Sequence, residues 1–326
     1  GLRANLPIFV KNFLDNRTFR VRVGSTLSEE YPQHLGVPQG SVLSPTLFSV
    51  MINSVLSALP VSVGKMLYVD DLTIYSSSAR LEGAERQITT ALRSIDDWTK
   101  KTGFMFSPVK SVCVHFHRRR GLFLEPQFSL GGELIPVRTE VRYLGLIFDS
   151  RLTWLPHLRN LRLKCSKSLD ILRVVSRQAW GADRTVLLRL YRALIRSKID
   201  YGCQAYGSAS KTSLKMLDTV HHQALRIALG AFRTSPVESL YVEAHEPSLF
   251  HRRMLLDLQY KMRLQKIPSH PTTILGSDDS LDDRFLRRRR EKPPYGVRSR
   301  ILLRDLGIDM PAVSYTHLTL PTRSYV

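Results

Sequence analysis

Two adjacent acidic residues, Asp70 and Asp71, stand between short apolar stretches at 66–69 and 72–75. Such stretches are typical of strands, so the two carboxylates are predicted to form the tip of a β-hairpin. Two-residue hairpin turns favour glycine, and neighbouring carboxylates repel each other, so we expect a cation opposite them. Carboxylate oxygens suit Mg²⁺, and two such ions about 3.5–4 Å apart can stabilise phosphoryl transfer. The alternative is a pair of solvated turn acids.

A second feature is the loop Leu35–Pro45, which is dense in glycine, proline and serine. Apolar residues at helical spacing follow it, and Pro45 suits the first turn of that helix with Ser44 as its cap. Within the loop, Gln39 offers a side-chain amide, and Gly40 allows the backbone to approach a ligand closely. A plain glycine turn before a helix explains the glycine and the prolines but not the glutamine.

The elements that would position these features alternate between strands and helices. The alternation of apolar and polar residues predicts strands within 19–23, 104–116 and 143–148. Residues 81–98 have an apolar face at helical spacing, and Gly103 can end that helix. Residues 1–150 are therefore predicted to be α+β, with an antiparallel sheet that carries helices on one face.

Beyond Trp154 the pattern is helical almost throughout. Leucines at helical spacing in 158–172 form an apolar stripe flanked by arginines and lysines. We place a domain boundary at 150 and predict an all-helical region over 151–267. Residues 268–310 are predicted to be a basic linker or tail, and residues 311–326, which continue no pattern, a tail foreign to the protein.

The composition indicates a polyanionic partner. The chain has 48 Lys and Arg against 28 Asp and Glu, a formal net charge of +20 and a pI near 10.2. Clustered cations release counterions from phosphates, which favours nucleic acid, although an anionic membrane or a merely soluble surface also suits the charge. The uncharged segment 35–64 contains prolines and polar residues, which argues against a membrane helix. The three cysteines lie far apart, so neither a disulfide framework nor a thiolate zinc site is indicated.

The order of these motifs resembles that of a known family. The motifs, in chain order, are Gly36-x-Pro38-Gln-Gly-Ser-x-x-Ser-Pro45, Tyr68-Val-Asp-Asp71, Lys110, Tyr143-Leu-Gly145, 190–202 and 224–230. Together they resemble the palm and thumb of reverse transcriptases from non-LTR retrotransposons of the jockey-like lineage. The resemblance extends to about residue 267.

This resemblance implies two-metal nucleotidyl transfer from a dNTP to a primer 3′-hydroxyl. It implies that Asp70 and Asp71 are catalytic ligands of Mg²⁺ or Mn²⁺, with Asp71 close to the primer terminus. It also implies that Lys110 contacts the incoming triphosphate or protonates the pyrophosphate leaving group. An ordinary surface lysine is nearly as good an explanation of Lys110.

The resemblance further implies contacts with the template and with the primer. The residues expected to contact the template or nucleotide are Pro38, Gln39, Gly40, Ser41 and Tyr68. Tyr143, Leu144 and Gly145 would grip the primer, although core packing explains them equally well. The implied partners are an RNA template, a DNA primer or duplex and dNTPs, with no membrane. The implied place of action is the nucleus for target-primed copying, or the cytoplasm.

In the family, a third catalytic carboxylate and an aromatic residue that screens the sugar 2′ position precede the elements that open this chain. We therefore expect this chain, which begins with Gly1, to be an N-terminally truncated palm with a thumb that is inactive by itself. The main alternative is a non-catalytic module, derived from a retroelement, that binds RNA or duplex. An intron-encoded maturase is a further alternative, which the helical half disfavours.

Overall fold

The computed structural model describes residues 5–117, 124–177, 181–267, 270, 272 and 293–307. The chain forms two compact units, one of residues 1–115 and 121–138, the other of residues 116–120 and 139–326. The predicted tail at 311–326 lies outside the described residues, as does most of the predicted linker at 268–310. The two units are treated separately below.

The first unit combines helices with short antiparallel strands. Its elements are α1 (Leu6–Leu14), β1 (Thr18–Phe19), β2 (Arg22–Val23), β3 (Thr26–Leu27), β4 (Tyr31–Pro32), α2 (Ser44–Ala58), β5 (Gly64–Tyr68), β6 (Asp71–Tyr75), α3 (Leu81–Thr102), β7 (Phe128–Leu130) and β8 (Glu133–Ile135). Gly103 ends α3 in a left-handed conformation with φ of 76°, as the sequence predicts.

Helices α2 and α3 supply most of the core of the first unit. Their buried faces include Val55, Ala91 and Ile95, which pack with Phe128 and Leu130 of β7. The indole Nε1 of Trp98 on α3 donates a hydrogen bond to Ser54 Oγ on α2 at 2.9 Å. This bond satisfies the polar atom of a large buried side chain and links the two helices.

The strands form separate antiparallel pairs in the described part of the chain, where no sheet has more than two strands. The α+β class is confirmed, whereas the predicted single sheet is replaced by antiparallel pairs that include β5–β6 and β7–β8. The segment 104–117 contains no strand, and only an isolated parallel bridge joins Cys113 to Val137. The strand prediction at 104–116, which rested on alternating apolar residues, was therefore wrong. Phe104, Phe106 and Cys113 pack against the core from an irregular backbone.

The second unit is helical apart from one hairpin. Its elements are β9 (Glu140–Tyr143), β10 (Leu146–Asp149), α4 (Leu155–Val175), α5 (Arg184–Tyr191), a π-helical turn (Arg192–Arg196), α6 (Ser197–Asp200), α7 (Cys203–Tyr206), α8 (Lys211–Leu229), α9 (Val237–Ala244), α10 (Leu249–Gln265) and α11 (Tyr295–Asp305). The leucine stripe of α4 is buried, and much of it packs on α8. The hairpin β9–β10 belongs to this unit, although the sequence placed it before a boundary at 150.

Helix α4 begins at an unusual cap. Trp154 precedes the helix in a left-handed conformation with φ of 64°, and no side chain of its own caps it. The buried carboxylate of Asp149 instead accepts from the backbone nitrogens of Thr153 at 2.9 Å and Trp154 at 2.8 Å, and from Thr153 Oγ1 at 2.9 Å. Asp149 thus offsets the strain and fixes the exit from the hairpin.

A buried carboxylate forms ion pairs with two arginines of the π-helical turn. Glu246 Oε1 lies 2.6 Å from Arg192 Nε, and Glu246 Oε2 lies 2.7 Å from Arg196 NH1. Because the π-helical turn brings both arginines toward one acid, the buried charge is compensated.

Part of the predicted tail is helix α11, which packs on α10. The Tyr295 hydroxyl donates to the Asp257 carbonyl, and Arg298 NH2 lies 3.6 Å from Asp257 Oδ2. Burial raises the pKa of Asp257 to about 6, and the nearby Arg298 and Arg253 oppose that rise. Residues 295–305, within the segment predicted to be a basic linker or tail, therefore form a helix with partly buried side chains.

Among the helices that the structure describes, we find none with the length and apolar character needed to cross a membrane.

Asp149→Ala is expected to lower the free energy of unfolding by about 2–3 kcal/mol, because two backbone N–H groups and a hydroxyl lose their acceptor. Asp183→Ala is the matched control. Asp183 caps α5 through a single bond from Val186 N at 2.8 Å at an exposed position, so its loss should cost about 1 kcal/mol. Urea unfolding followed by circular dichroism measures both variants. Equal losses would contradict the role given to Asp149.

Candidate functional site

The acidic hairpin places its turn one residue earlier than the sequence predicts. Tyr68 pairs with Asp71 across β5 and β6, so the two turn residues are Val69 and Asp70. Asp71 is the first residue of β6 and is not part of the tip. Val69 takes the left-handed conformation, with φ of 57°, at the position where glycine is preferred. For a β-branched residue this backbone is strained, at a cost of about 1–3 kcal/mol.

The two faces of this hairpin differ. Leu67, Leu72 and Ile74 are partly buried against the helical core of the first unit. The other face is exposed and carries Tyr68 beside Asp71, because directly opposed residues of an antiparallel pair share a face. Tyr68 is 59% exposed. The core therefore fixes the strands while the carboxylates remain open to solvent.

The expected cation opposite the carboxylates is not found among the side chains that the structure describes. Asp70 and Asp71 are both exposed and form no ion pair with a described lysine or arginine. Their carboxylate oxygens are the donor type that Mg²⁺ prefers. No group of three acidic, histidine or cysteine residues suited to a metal ion occurs within the described ranges. The chain therefore offers two ligands of the right chemistry at this hairpin.

The loop before α2 is ordered by its own backbone contacts. Gly36 and Gly40 have φ of 80° and 88°, a region that favours glycine. Ser44 does not cap α2 as predicted: it is buried, and its hydroxyl donates to the Pro38 carbonyl. Arg17 NH2 donates to the Gly36 carbonyl at 2.7 Å and fixes the start of the loop.

Several of the predicted template-contacting residues line one open cavity of about 380 Å³. The lining includes Pro38, Gln39, Gly40 and Ser41 together with Phe48 of α2. Gln39 is exposed, and its side chain makes no hydrogen bond to another described residue. A Cβ added at Gly40 would meet no atom within 4 Å, so the space above this glycine is open. The structure thus brings these four residues together.

Lys110 lies on a tight turn. The backbone nitrogen of Ser111 bonds to the Ser107 carbonyl at 3.0 Å, which closes the turn. Lys110 is exposed and forms no ion pair with Asp70, Asp71 or another acid that the structure describes. Its proposed contact with a triphosphate remains a prediction.

The predicted primer contact lies on the turn of hairpin β9–β10. Tyr143 ends β9, and Leu144 and Gly145 form the turn with φ of 44° and 83°. Positive φ at both residues is typical of the type I′ turn of hairpins. The Tyr201 hydroxyl donates to the Leu144 carbonyl at 2.7 Å. The primer-gripping role of these three residues remains a prediction.

Sequence reasoning missed the residues that support these turns. Lys65 on β5 donates through Nζ to the carbonyls of Leu56 and Leu59, at 2.5 and 3.0 Å, where α2 ends. A lysine inside an otherwise apolar strand was the available signal for this contact. Arg17 and Tyr201 gave no local signal, because their partners lie 19 and 57 residues away in the sequence.

Comparison with known proteins supports the resemblance. Residues 3–148 match the family model described as reverse transcriptase (RNA-dependent DNA polymerase). The chain is 29% identical over 287 residues to the RNA-directed DNA polymerase from mobile element jockey of Drosophila melanogaster. That match covers 83% of this chain and 30% of the relative.

Two further relatives come from other mobile elements. The probable RNA-directed DNA polymerase from transposon BS of Drosophila melanogaster is 29% identical over 67% of this chain and 25% of its own length. A retrovirus-related Pol polyprotein from type-1 retrotransposable element R1 of Bradysia coprophila is 28% identical over 64% of this chain and 21% of its own length. The chain thus spans less than a third of each of these curated relatives.

Val69→Gly is expected to raise the free energy of unfolding by about 1 kcal/mol. The left-handed backbone costs valine about 1–3 kcal/mol, whereas the added freedom of glycine in the unfolded chain costs about 0.5–1 kcal/mol. Val61→Gly is the control, because Val61 is exposed and does not have a positive φ. Thermal unfolding compares the two. A loss of stability in Val69→Gly equal to that in Val61→Gly would contradict strain at the tip.

Proposed function

We propose that this chain, which is similar to the reverse transcriptases of jockey-like non-LTR retrotransposons, forms the catalytic hairpin, template loop and thumb of an RNA-directed DNA polymerase. The intact polymerase would join a deoxynucleotide to a primer 3′-hydroxyl with release of pyrophosphate, using an RNA template. The observation that carries the proposal is the exposed pair Asp70 and Asp71 on a strained two-residue hairpin.

Asp70 and Asp71 would hold Mg²⁺ or Mn²⁺. When bound, the ions neutralise the charge that develops on the attacking and leaving oxygens. The protein contributes position: the buried face of the hairpin holds the strands, so the carboxylates project from a rigid support. Tyr68 lies beside Asp71 on the exposed face and would pack against the nucleotide at the primer end.

The loop and the turn lysine would bind the other reactants. The cavity lined by residues 37–42 is open and mostly apolar, which suits the face of a base. Gln39 adds an amide that no described residue engages, and that amide can hydrogen-bond to a ligand. Lys110 is exposed and forms no ion pair within the described ranges, so its ammonium group is available to a triphosphate.

The thumb would hold the duplex through its charge. Helix α4 exposes five cations, namely Arg159, Arg162, Lys164, Lys167 and Arg173. The leucine stripe of α4 is buried in the core, so the cations that flank it face solvent. Such a surface suits phosphates and 2′-hydroxyls along the minor groove of an RNA–DNA hybrid.

Mn²⁺ binding tests the acidic pair without depending on activity. We expect Mn²⁺ to broaden the NMR signals of residues 68–72 in the full chain, and Asp70→Asn with Asp71→Asn to abolish that broadening, because an amide is a far weaker ligand than a carboxylate.

Asp96→Asn with Asp97→Asn is the matched control, since these adjacent acids lie on α3 in the same unit. The control should leave the broadening at 68–72 unchanged. Broadening that survives the loss of Asp70 and Asp71 would contradict this metal assignment.

The second candidate function is a non-catalytic module that binds RNA or duplex. It is favoured by one observation: within the described residues no third metal ligand joins Asp70 and Asp71. Two carboxylates alone are a weak site for two divalent ions. We therefore propose that this chain by itself binds hybrid duplex and does not extend a primer.

A primer-extension assay with Mg²⁺ or Mn²⁺, run beside a hybrid-binding assay, separates the two candidates. We expect binding that weakens with rising salt and no extension by this chain alone. Extension that Asp70→Asn abolishes would show that the chain completes its own site and would refute the inactivity proposal. Absence of binding at low salt would refute both candidates.

A further inference from the structure

We propose that Tyr201 is a positioning residue that holds the Leu144-Gly145 turn in the conformation that presents it to the primer end. The inference rests on the proposed function, in which this turn contacts the primer. Tyr201 directly follows α6 and lies 57 residues from Leu144 in the sequence. The primer contact predicted from the sequence covered 143–145 alone and did not include Tyr201.

The first observation is a hydrogen bond to the turn itself. The Tyr201 hydroxyl donates to the carbonyl of Leu144 at 2.7 Å across 57 residues of sequence. Leu144 is the non-glycine residue of the turn, and its φ of 44° is uncommon for a residue with a side chain. A bond to its carbonyl favours this backbone orientation over the alternatives open to a hairpin tip.

The second observation is close packing that depends on two glycines. A Cβ at Gly145 would lie 3.3 Å from Tyr201 Cε1, so the ring lies directly against the turn. A Cβ at Gly202 would lie 2.7 Å from Leu146 Cδ2, closer than such atoms approach in proteins. Gly202 therefore lets the segment after α6 approach β10, and this approach brings the hydroxyl to the turn.

The third observation is an independent anchor on strand β10, two residues beyond the turn. Ile147 N donates to His157 Nδ1 at 3.3 Å, and the imidazole is buried between the rings of Trp154 and Tyr206. Burial lowers the pKa of His157, which keeps Nδ1 available as an acceptor. Since His157 holds the strand, the Tyr201 bond acts on the tip alone.

The exposure of Tyr201 distinguishes a positioning role from a role in the stability of the fold. Tyr201 is 58% exposed and does not belong to the buried core of the second unit. Loss of its hydroxyl should therefore alter the turn while the helices remain folded. A residue that merely stabilised the fold would affect all binding modes of the unit equally.

The test is Tyr201→Phe in the full chain, with two RNA–DNA hybrids of equal length as probes. One hybrid has a recessed primer 3′ end, and the other is continuous with blunt ends. We expect the wild-type chain to prefer the recessed end. Tyr201→Phe should bind the recessed hybrid about five-fold more weakly, as the loss of one hydrogen bond implies. Its affinity for the continuous hybrid should stay within about two-fold of the wild-type affinity.

Tyr295→Phe is the matched control, because its hydroxyl also donates to a backbone carbonyl, that of Asp257, elsewhere in the same unit. It should bind both hybrids like the wild type. Hydrogen exchange of the free protein gives a readout that needs no ligand. Tyr201→Phe should speed exchange of the amides in 144–146 about five-fold, and Tyr295→Phe should leave them unchanged.

The outcomes separate the inference from the proposed function. Faster exchange at 144–146 together with a selective loss of recessed-hybrid binding supports the positioning role. Unchanged exchange, or an equal loss for both hybrids, overturns it while the primer contact stands. A wild-type chain with no preference for the recessed end overturns the primer contact, and the positioning role with it.

Discussion

The acidic hairpin and the Leu144-Gly145 turn both depend on a backbone conformation that their residues disfavour. Val69 and Leu144 each carry a side chain and yet adopt positive φ, of 57° and 44°, at the tips of two-residue hairpins. Such conformations cost about 1–3 kcal/mol and persist only where the surroundings hold them. At Val69 this backbone places Asp70 at the tip and Asp71 at the start of β6. The presentation of both carboxylates therefore follows from a strained turn that the rest of the first unit must stabilise.

Each unit meets this requirement by a different means. In the first unit the strands are anchored: Leu67 and Leu72 pack on the helical core, and Lys65 ties β5 to the end of α2. In the second unit the turn itself is tied, since the Tyr201 hydroxyl bonds to Leu144 and Gly145 lies against the tyrosine ring. In both cases the apolar core supplies rigidity, and the residues at the tip stay accessible to a ligand.

Local sequence signals predicted the helices and the existence of the acidic hairpin. Gly103 marked the end of α3, and periodicity located the leucine stripe of α4. The same signals misplaced the turn, because the preference for glycine gave no hint that Val69 would take the left-handed position. They also missed Tyr201, because a contact across 57 residues leaves no local pattern. Position within the turn and long-range support are decided by tertiary packing, which the local sequence does not encode.

Photo-crosslinking from the primer end tests the central claim most directly. An RNA–DNA hybrid that carries 4-thiothymidine at the primer 3′ terminus is bound to the full chain and irradiated, and the attached peptides are mapped by mass spectrometry. The account predicts crosslinks at the tip of the acidic hairpin, within Tyr68–Asp71, that unlabelled hybrid competes away. Crosslinks that avoid this hairpin at saturating hybrid would contradict the assignment of Asp70 and Asp71 to the primer end.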